Sequence, residues 1–182
     1  MTATGMPSLG EIAMGPVPDI GFVQMQLSKV VAVSSGDQMS EFVVLDELGG
    51  DRRLLIQIGM TEALALAANL GEVTWGRPMT YQLMAELVRS LGGRIREVRL
   101  DGLVEGAYAA TLEIEGPNGT ELVDARSSDA LNLAALTAAP IFAALEVLDN
   151  SDRHTQGDSA EGVLARRALA ACPMTIKKAE AQ

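Results

Sequence analysis

Two short polar segments carry the residues best placed for chemistry. Gly76-Arg77-Pro78-Met79-Thr80-Tyr81-Gln82 opens an amphipathic stretch, and Asp124-Ala125-Arg126-Ser127-Ser128-Asp129-Ala130 opens an apolar one. Both read as helix N-termini, where unpaired backbone N–H groups favour anions. A weaker segment of the same kind is Ile58-Gly59-Met60-Thr61-Glu62-Ala63. The chemistry on offer is phosphate binding by arginine, and proton transfer or metal binding by carboxylate. Arg126 and Asp129, three residues apart, either pair and cap a helix or leave Arg126 to take a phosphate through both arms of its fork. Arg77, ahead of Pro78, has the same two readings. Glu62 is the one charge on an otherwise apolar helix and needs a partner, a cap or an arginine before a metal. Should Glu62, Asp124 and Asp129 converge, they form an all-oxygen set suited to Mg²⁺. Tyr81, with an ordinary pKa of about 10, is a poor base near neutrality, so packing or hydrogen bonding is its expected role.

Other ionisable groups read as solvated. Arg94, Arg96 and Arg99 alternate with Glu97 and Asp101 along a strand face. The only histidine, His154, falls in a polar stretch after the core. Imidazole acid–base work is therefore not expected in the domain.

The elements that must hold these residues are well punctuated. Strands are expected at Gln24–Val33, Glu41–Asp46 and Leu54–Ile58, the last two as a hairpin across Leu48-Gly49-Gly50-Asp51. A buried helix follows at Thr61–Leu70, with Gly71 suited to a left-handed stop. Thr80 is expected to cap a second helix that ends at Gly92. Leu83, Leu87 and Leu91 recur on it every four residues, opposite Gln82, Glu86 and Arg89, so it should pack on one face. Strands at Ile95–Leu103 and Ala107–Glu115 meet across Glu105-Gly106, and Pro117-Asn118-Gly119 turns into a strand at Glu121–Ala125. A third, apolar helix is expected at Ser128–Ala138, stopped before Pro140, and Ile141–Leu148 reads as the last strand. The class is α+β: a single compact domain, with a mixed or antiparallel sheet of hairpins and three helices. Residues 1–21, rich in Gly and Pro, read as a flexible arm, 22–150 as the domain, and 151–182 as a polar linker with a short helix. Both tails are expected to be dispensable for folding.

Composition narrows the function classes. Of 182 residues, 48% are hydrophobic and 21% charged, which excludes global disorder. The longest apolar run, Leu133–Leu145, is too short for a membrane span and contains Thr137 and Pro140. The N-terminal residues lack the basic start of a secretory signal. Cys172 is the only cysteine, so no disulfide framework is expected, and a reducing cytoplasm is the simplest location. The net charge of −10 argues against broad, salt-driven binding to duplex DNA. The two nearly all-apolar helices leave surface that one sheet cannot cover, which predicts a homodimer or higher homo-oligomer.

Taken in order, the polar segments resemble the bifunctional nuclease (BFN) domain family. The resemblance rests on Ile56, Ile58 and Gly59, on Glu62 and Ala63, and on Arg77, Pro78 and Thr80. It continues through Tyr108 and Ala109, then Arg126, Ser128, Asp129 and Ala130, and ends at Pro140 and Ile141. It spans nearly the whole core. It implies phosphodiester hydrolysis on single-stranded RNA or DNA, or nucleotide binding. Arg77 and Arg126 would lie on phosphates, Glu62 and Asp129 would supply a base or a metal site, and Thr80, Tyr81, Gln82 and Ser128 would line the substrate. The departures fall on polar positions. The family's tryptophan is Gln57 here and the proline before it Leu55. Its histidine-aspartate pair is Tyr81 and Gln82, and the proline of its second arginine motif is Ser127. The basic residue usual in the following apolar helix is missing. These losses imply either a weakened nuclease or a non-catalytic oligomeric scaffold or regulatory binding domain.

Overall fold

The computed structural model describes residues 21–71, 76–156, 160–171 and 173. Cys172 and residues 1–20, for which a flexible arm was expected, lie outside them. Seven strands run through the described residues: β1 (Phe22–Ser35), β2 (Gln38–Glu47), β3 (Arg53–Ile58), β4 (Arg94–Val104), β5 (Ala107–Gly116), β6 (Gly119–Arg126) and β7 (Ile141–Ala144). The helices there are α1 (Met60–Leu70), α2 (Thr80–Ser90), α3 (Ser127–Thr137), α4 (Leu145–Gln156) and α5 (Ala160–Ala170). The α+β class is as expected.

All seven strands form one sheet in the order β3-β2-β1-β7-β4-β5-β6. Tight turns produce the two antiparallel meanders at its ends. Glu105 and Gly106, both at positive φ, close the β4–β5 hairpin. Gly119, at φ 124°, follows the Pro117-Asn118 corner between β5 and β6. The short β7 joins the meanders, antiparallel to β1 and parallel to β4.

Neighbouring residues of β1–β3 divide between two cores, which therefore lie on opposite faces of that half of the sheet. Val30, Val43, Leu45, Leu54 and Ile56 join Leu66 of α1, Leu131 of α3 and Leu148 of α4 in the larger cluster. Val31, Val33, Phe42, Val44 and Leu55 meet Ala165 and Ala168 of α5 in the smaller one. Lys29 ties α5 down, donating from Nζ to the carbonyls of Leu169 (2.8 Å) and Ala171 (2.7 Å) at its end.

Several expectations need correction. The strand expected over Ile141–Leu148 ends at Ala144, and α4 continues through residues assigned to a linker. Val147 and Leu148 are buried because they point from a helix into the core rather than along a strand. Five helices stand among the described residues: α1, α2 and α3 are the three expected of the domain, α5 is the short helix expected of the tail, and α4 is the addition. Gly71 ends α1 with φ −83°, not left-handed, whereas Gly92 is left-handed as expected and Ala138 does the same for α3. Most consequentially, α2 buries no residue. Its leucine stripe faces outward, while Tyr81, Ala85 and Val88 pack against the core.

Candidate functional site

Three helix N-termini meet at one place. Glu62 lies in the first turn of α1, Tyr81 in the first turn of α2 and Asp129 in the first turn of α3. Arg126, the extended residue capping α3, joins them. Its Nε donates to Asp129 Oδ2 at 2.7 Å and its Nη2 to Asp129 Oδ1 at 3.0 Å, a two-pronged pair. The same Nη2 reaches Glu62 Oε1 at 3.1 Å. The Tyr81 hydroxyl donates to Asp129 Oδ1 at 2.6 Å. Glu62 thus has the arginine partner its place on an apolar helix demands, and Arg126 shows the ion-pair arrangement of its two readings.

A buried amide and a half-buried one hold this geometry. Asn132, fully buried on α3, donates to the carbonyls of Glu62 (3.2 Å) and Ser128 (3.0 Å), and accepts from Asn69 of α1 (3.2 Å). The start of α1 is thereby fixed to the start of α3. Asn132 and Asn69 escape a reading based on patterning, because a single amide within an apolar helix looks like noise. The available signal was the unpaired polarity of Asn132 between Leu131 and Leu133 on a helix otherwise built for burial.

Electrostatics follow from these contacts. Burial, then the bond to Asp129, pushes the Tyr81 hydroxyl well above its ordinary range, so it stays a proton donor. Burial alone would raise Asp129, but the fork of Arg126 and the Tyr81 hydroxyl outweigh it and hold the carboxyl below its usual range. The bond to Asp129 in turn keeps Arg126 charged at all accessible pH. The Arg126 side chain is 67% exposed, whereas those of Glu62 and Asp129 are mostly covered. A cation therefore faces solvent over two sheltered carboxylates.

The remaining candidates take other places. Ser128 is nearly buried in the first turn of α3. Gln82 accepts a hydrogen bond at 3.0 Å from the Met79 N–H, which fixes the start of α2. Thr80 is the first residue of α2 rather than its cap, which is Met79. Thr80, Tyr81 and Gln82 line a groove of about 390 Å³ with Leu64 and Asn69 of α1. Arg77 is exposed and has no ion pair among the described residues. Asp124 stands on β6 opposite Thr111, outside the Arg126 network. Tyr108 is also outside it, hydrogen bonded to Ser151 of α4.

A resident Mg²⁺ does not fit this arrangement. Such an ion needs several oxygens aimed at one point, and here a guanidinium separates Glu62 from Asp129. Among the described residues no three acidic, histidine or cysteine side chains are grouped to hold a metal ion. No described helix is long and apolar enough to cross a membrane.

Comparison with known proteins gives this geometry a context. The family model of the bifunctional nuclease domain matches residues 43–156. That span takes in Glu62, Arg77, Tyr81, Arg126 and Asp129. An uncharacterized protein of Mycobacterium tuberculosis is 36% identical over 111 residues, 61% of this chain and 66% of that protein. Bifunctional nuclease 1 of Arabidopsis thaliana is 37% identical over 90 residues, 48% of this chain and 27% of that one. Bifunctional nuclease 1 of Oryza sativa subsp. japonica is 32% identical over 98 residues, 52% of this chain and 30% of that one. The match thus covers just under two thirds of the bacterial relative and less than a third of each plant protein.

Proposed function

The chain belongs to the bifunctional nuclease domain family, and from that premise we propose that it hydrolyses phosphodiester bonds in single-stranded RNA or DNA. The observation that carries the reading is the exposed Arg126 guanidinium at the meeting point of three helix N-termini. Each N-terminus favours negative charge, and a phosphate docking on Arg126 would feel all three. Arg77, exposed just before α2, is the second phosphate contact. A narrow strand suits one or two cations in a chain of net charge −10, as an extended duplex surface would not. Glu62, held through one nitrogen of Arg126, is the group we assign to take the proton of an attacking water. The water oxygen bonds to phosphorus as the P–O bond to the leaving nucleotide breaks. Asp129 positions Arg126 and stays ionised. The setting we propose is the reducing cytoplasm, on the ground of the single cysteine.

The closure of the network favours a second reading. Tyr81 stands where the family pattern has histidine, and its hydroxyl is committed to Asp129. A site whose groups are committed to one another in this way suits a domain that binds a phosphate or nucleotide without turnover, as a scaffold or regulatory module. One assay separates the two readings. Labelled single-stranded RNA and DNA are incubated with the full chain across a series of divalent metals, beside Arg126→Ala. The nuclease reading expects cleavage products that disappear in the variant. Nucleotide-induced thermal stabilisation without products, lost in the same variant, would establish the binding module instead.

A further inference from the structure

The outward stripe of α2 is an apolar feature left open on the described surface. Leu83 is 51% exposed, Leu87 52%, Leu91 77% and Met79 54%, with Met84 alongside at 40%. Leu64 of α1 extends the patch across the groove. A solvated helix ordinarily turns such residues inward. Here the inner side is taken by Tyr81, Ala85 and Val88, so the period-four leucines lack a partner among the described residues.

We propose that this stripe is the contact surface for a second copy of the same chain, with the two α2 helices antiparallel about a two-fold axis near Leu87. Spacing is the first argument. Leu83 and Leu91 each lie four residues from Leu87. Reversing one helix about Leu87 sets Leu83 against Leu91 of the second copy and Leu87 against its equivalent. A two-fold interface requires self-complementarity of this kind.

Charge is the second argument. Two chains of net charge −10 repel overall, yet residues 76–93, before β4, carry Arg77 and Arg89 against Glu86, a local balance of +1. Glu86 and Arg89 already pair with each other on the side of α2 away from the stripe, so neither is left as an unpaired charge on the face. The face therefore pairs with itself without the repulsion that the rest of the surface would impose. Area is the third. At roughly 100 Å² for each of six half-exposed side chains, the patch offers about 600 Å² of apolar surface. A stable interface takes about 800 Å² from each partner, with a polar rim beyond its apolar centre.

The test uses the full chain. Sedimentation equilibrium at micromolar concentration should give a dimer, and Leu87→Lys should halve the mass with an unchanged far-ultraviolet spectrum. Leu122→Lys, on the exposed edge strand β6, should remain dimeric. In a Cys172→Ser background, Leu87→Cys should form a disulfide-linked dimer on mild oxidation, because that position meets itself across the axis. This second arm stands even if the lysine variant fails to fold. A monomeric parent would overturn the proposal and leave the stripe to a different protein. A dimer that survives Leu87→Lys but dissociates with Leu122→Lys would place the interface at the sheet edge and overturn it equally.

Discussion

Replacing Tyr81 by phenylalanine removes one oxygen and leaves the ring that packs against the core. The lost group is a hydroxyl donating at 2.6 Å to a carboxylate that is largely sheltered from solvent. A hydrogen bond to a charged acceptor contributes more than a neutral one, but Asp129 keeps both prongs of Arg126 in the variant. The expected cost is therefore about 1–2 kcal/mol, or about 3–6 °C in Tm for a chain of this length. The pH dependence is the sharper test. The folded pKa of Asp129 is depressed, so its contribution is present above the unfolded carboxylate pKa of about 4 and fades as pH falls below it. The folded pKa of Tyr81 is raised, so its contribution is complete below the ordinary tyrosine pKa of about 10 and erodes above it. Phenylalanine cannot titrate. The difference in Tm between parent and Tyr81→Phe should thus form a plateau between about pH 4 and pH 10 and narrow at both ends. Thermal melts across that range measure it directly. A gap below about 1 °C at pH 7, or one that does not change outside the plateau, would refute the coupling of Tyr81 to Asp129.

Three further outcomes are expected. Asn132→Leu leaves the Glu62 carbonyl and the Asn69 amide without their partner and should cost about 2–3 kcal/mol by chemical denaturation; a neutral result would mean that the α1–α3 junction is held by apolar packing alone. Ending the chain at Asn150 removes α5 and uncovers Val31, Val33, Phe42, Val44 and Leu55, so Tm should drop by more than about 5 °C with increased dye binding. An unchanged melt would restore the expectation that the C-terminal residues are dispensable. The double change Tyr81→His, Gln82→Asp should raise cleavage of single-stranded nucleic acid in an Arg126-dependent way, measured as product per unit time; a folded but inert double variant would count against the hydrolytic reading.

The sequence made the periodic elements legible, because strand alternation and Gly or Pro turns are local. The approach of Arg126 to Asp129 was legible too, since three residues across a strand-to-helix corner leave few alternatives. Glu62 announced its need for a cation without disclosing which arginine or lysine of the core would answer. What stayed hidden depended on the third dimension. The stripe on α2 was visible as apolar, but its direction is set by Tyr81 reaching Asp129, 48 residues away. The run Leu145-Glu146-Val147-Leu148 suits strand or helix alike, and only its docking beside β7 decides for α4. Residues 151–156 looked like linker because their composition is polar throughout, yet Ser151 is buried.

The four residues of β7 have a consequence for how the chain comes to be folded. The β1–β2–β3 and β4–β5–β6 meanders share no ladder with each other, and the sheet joins them only through β7. Phe22 to Met25 pair with residues 141–144, so β1, though it can pair early with β2, gains its second neighbour only when nearly the whole domain has been synthesised. During translation the inner edges of β1 and β4 remain open templates for stray strands until residues 141–144 leave the ribosome. Closure of so long a loop is slow compared with hairpin formation. Substitutions in β7 should therefore reduce the yield of folded protein in cells by more than their effect on the finished domain would suggest.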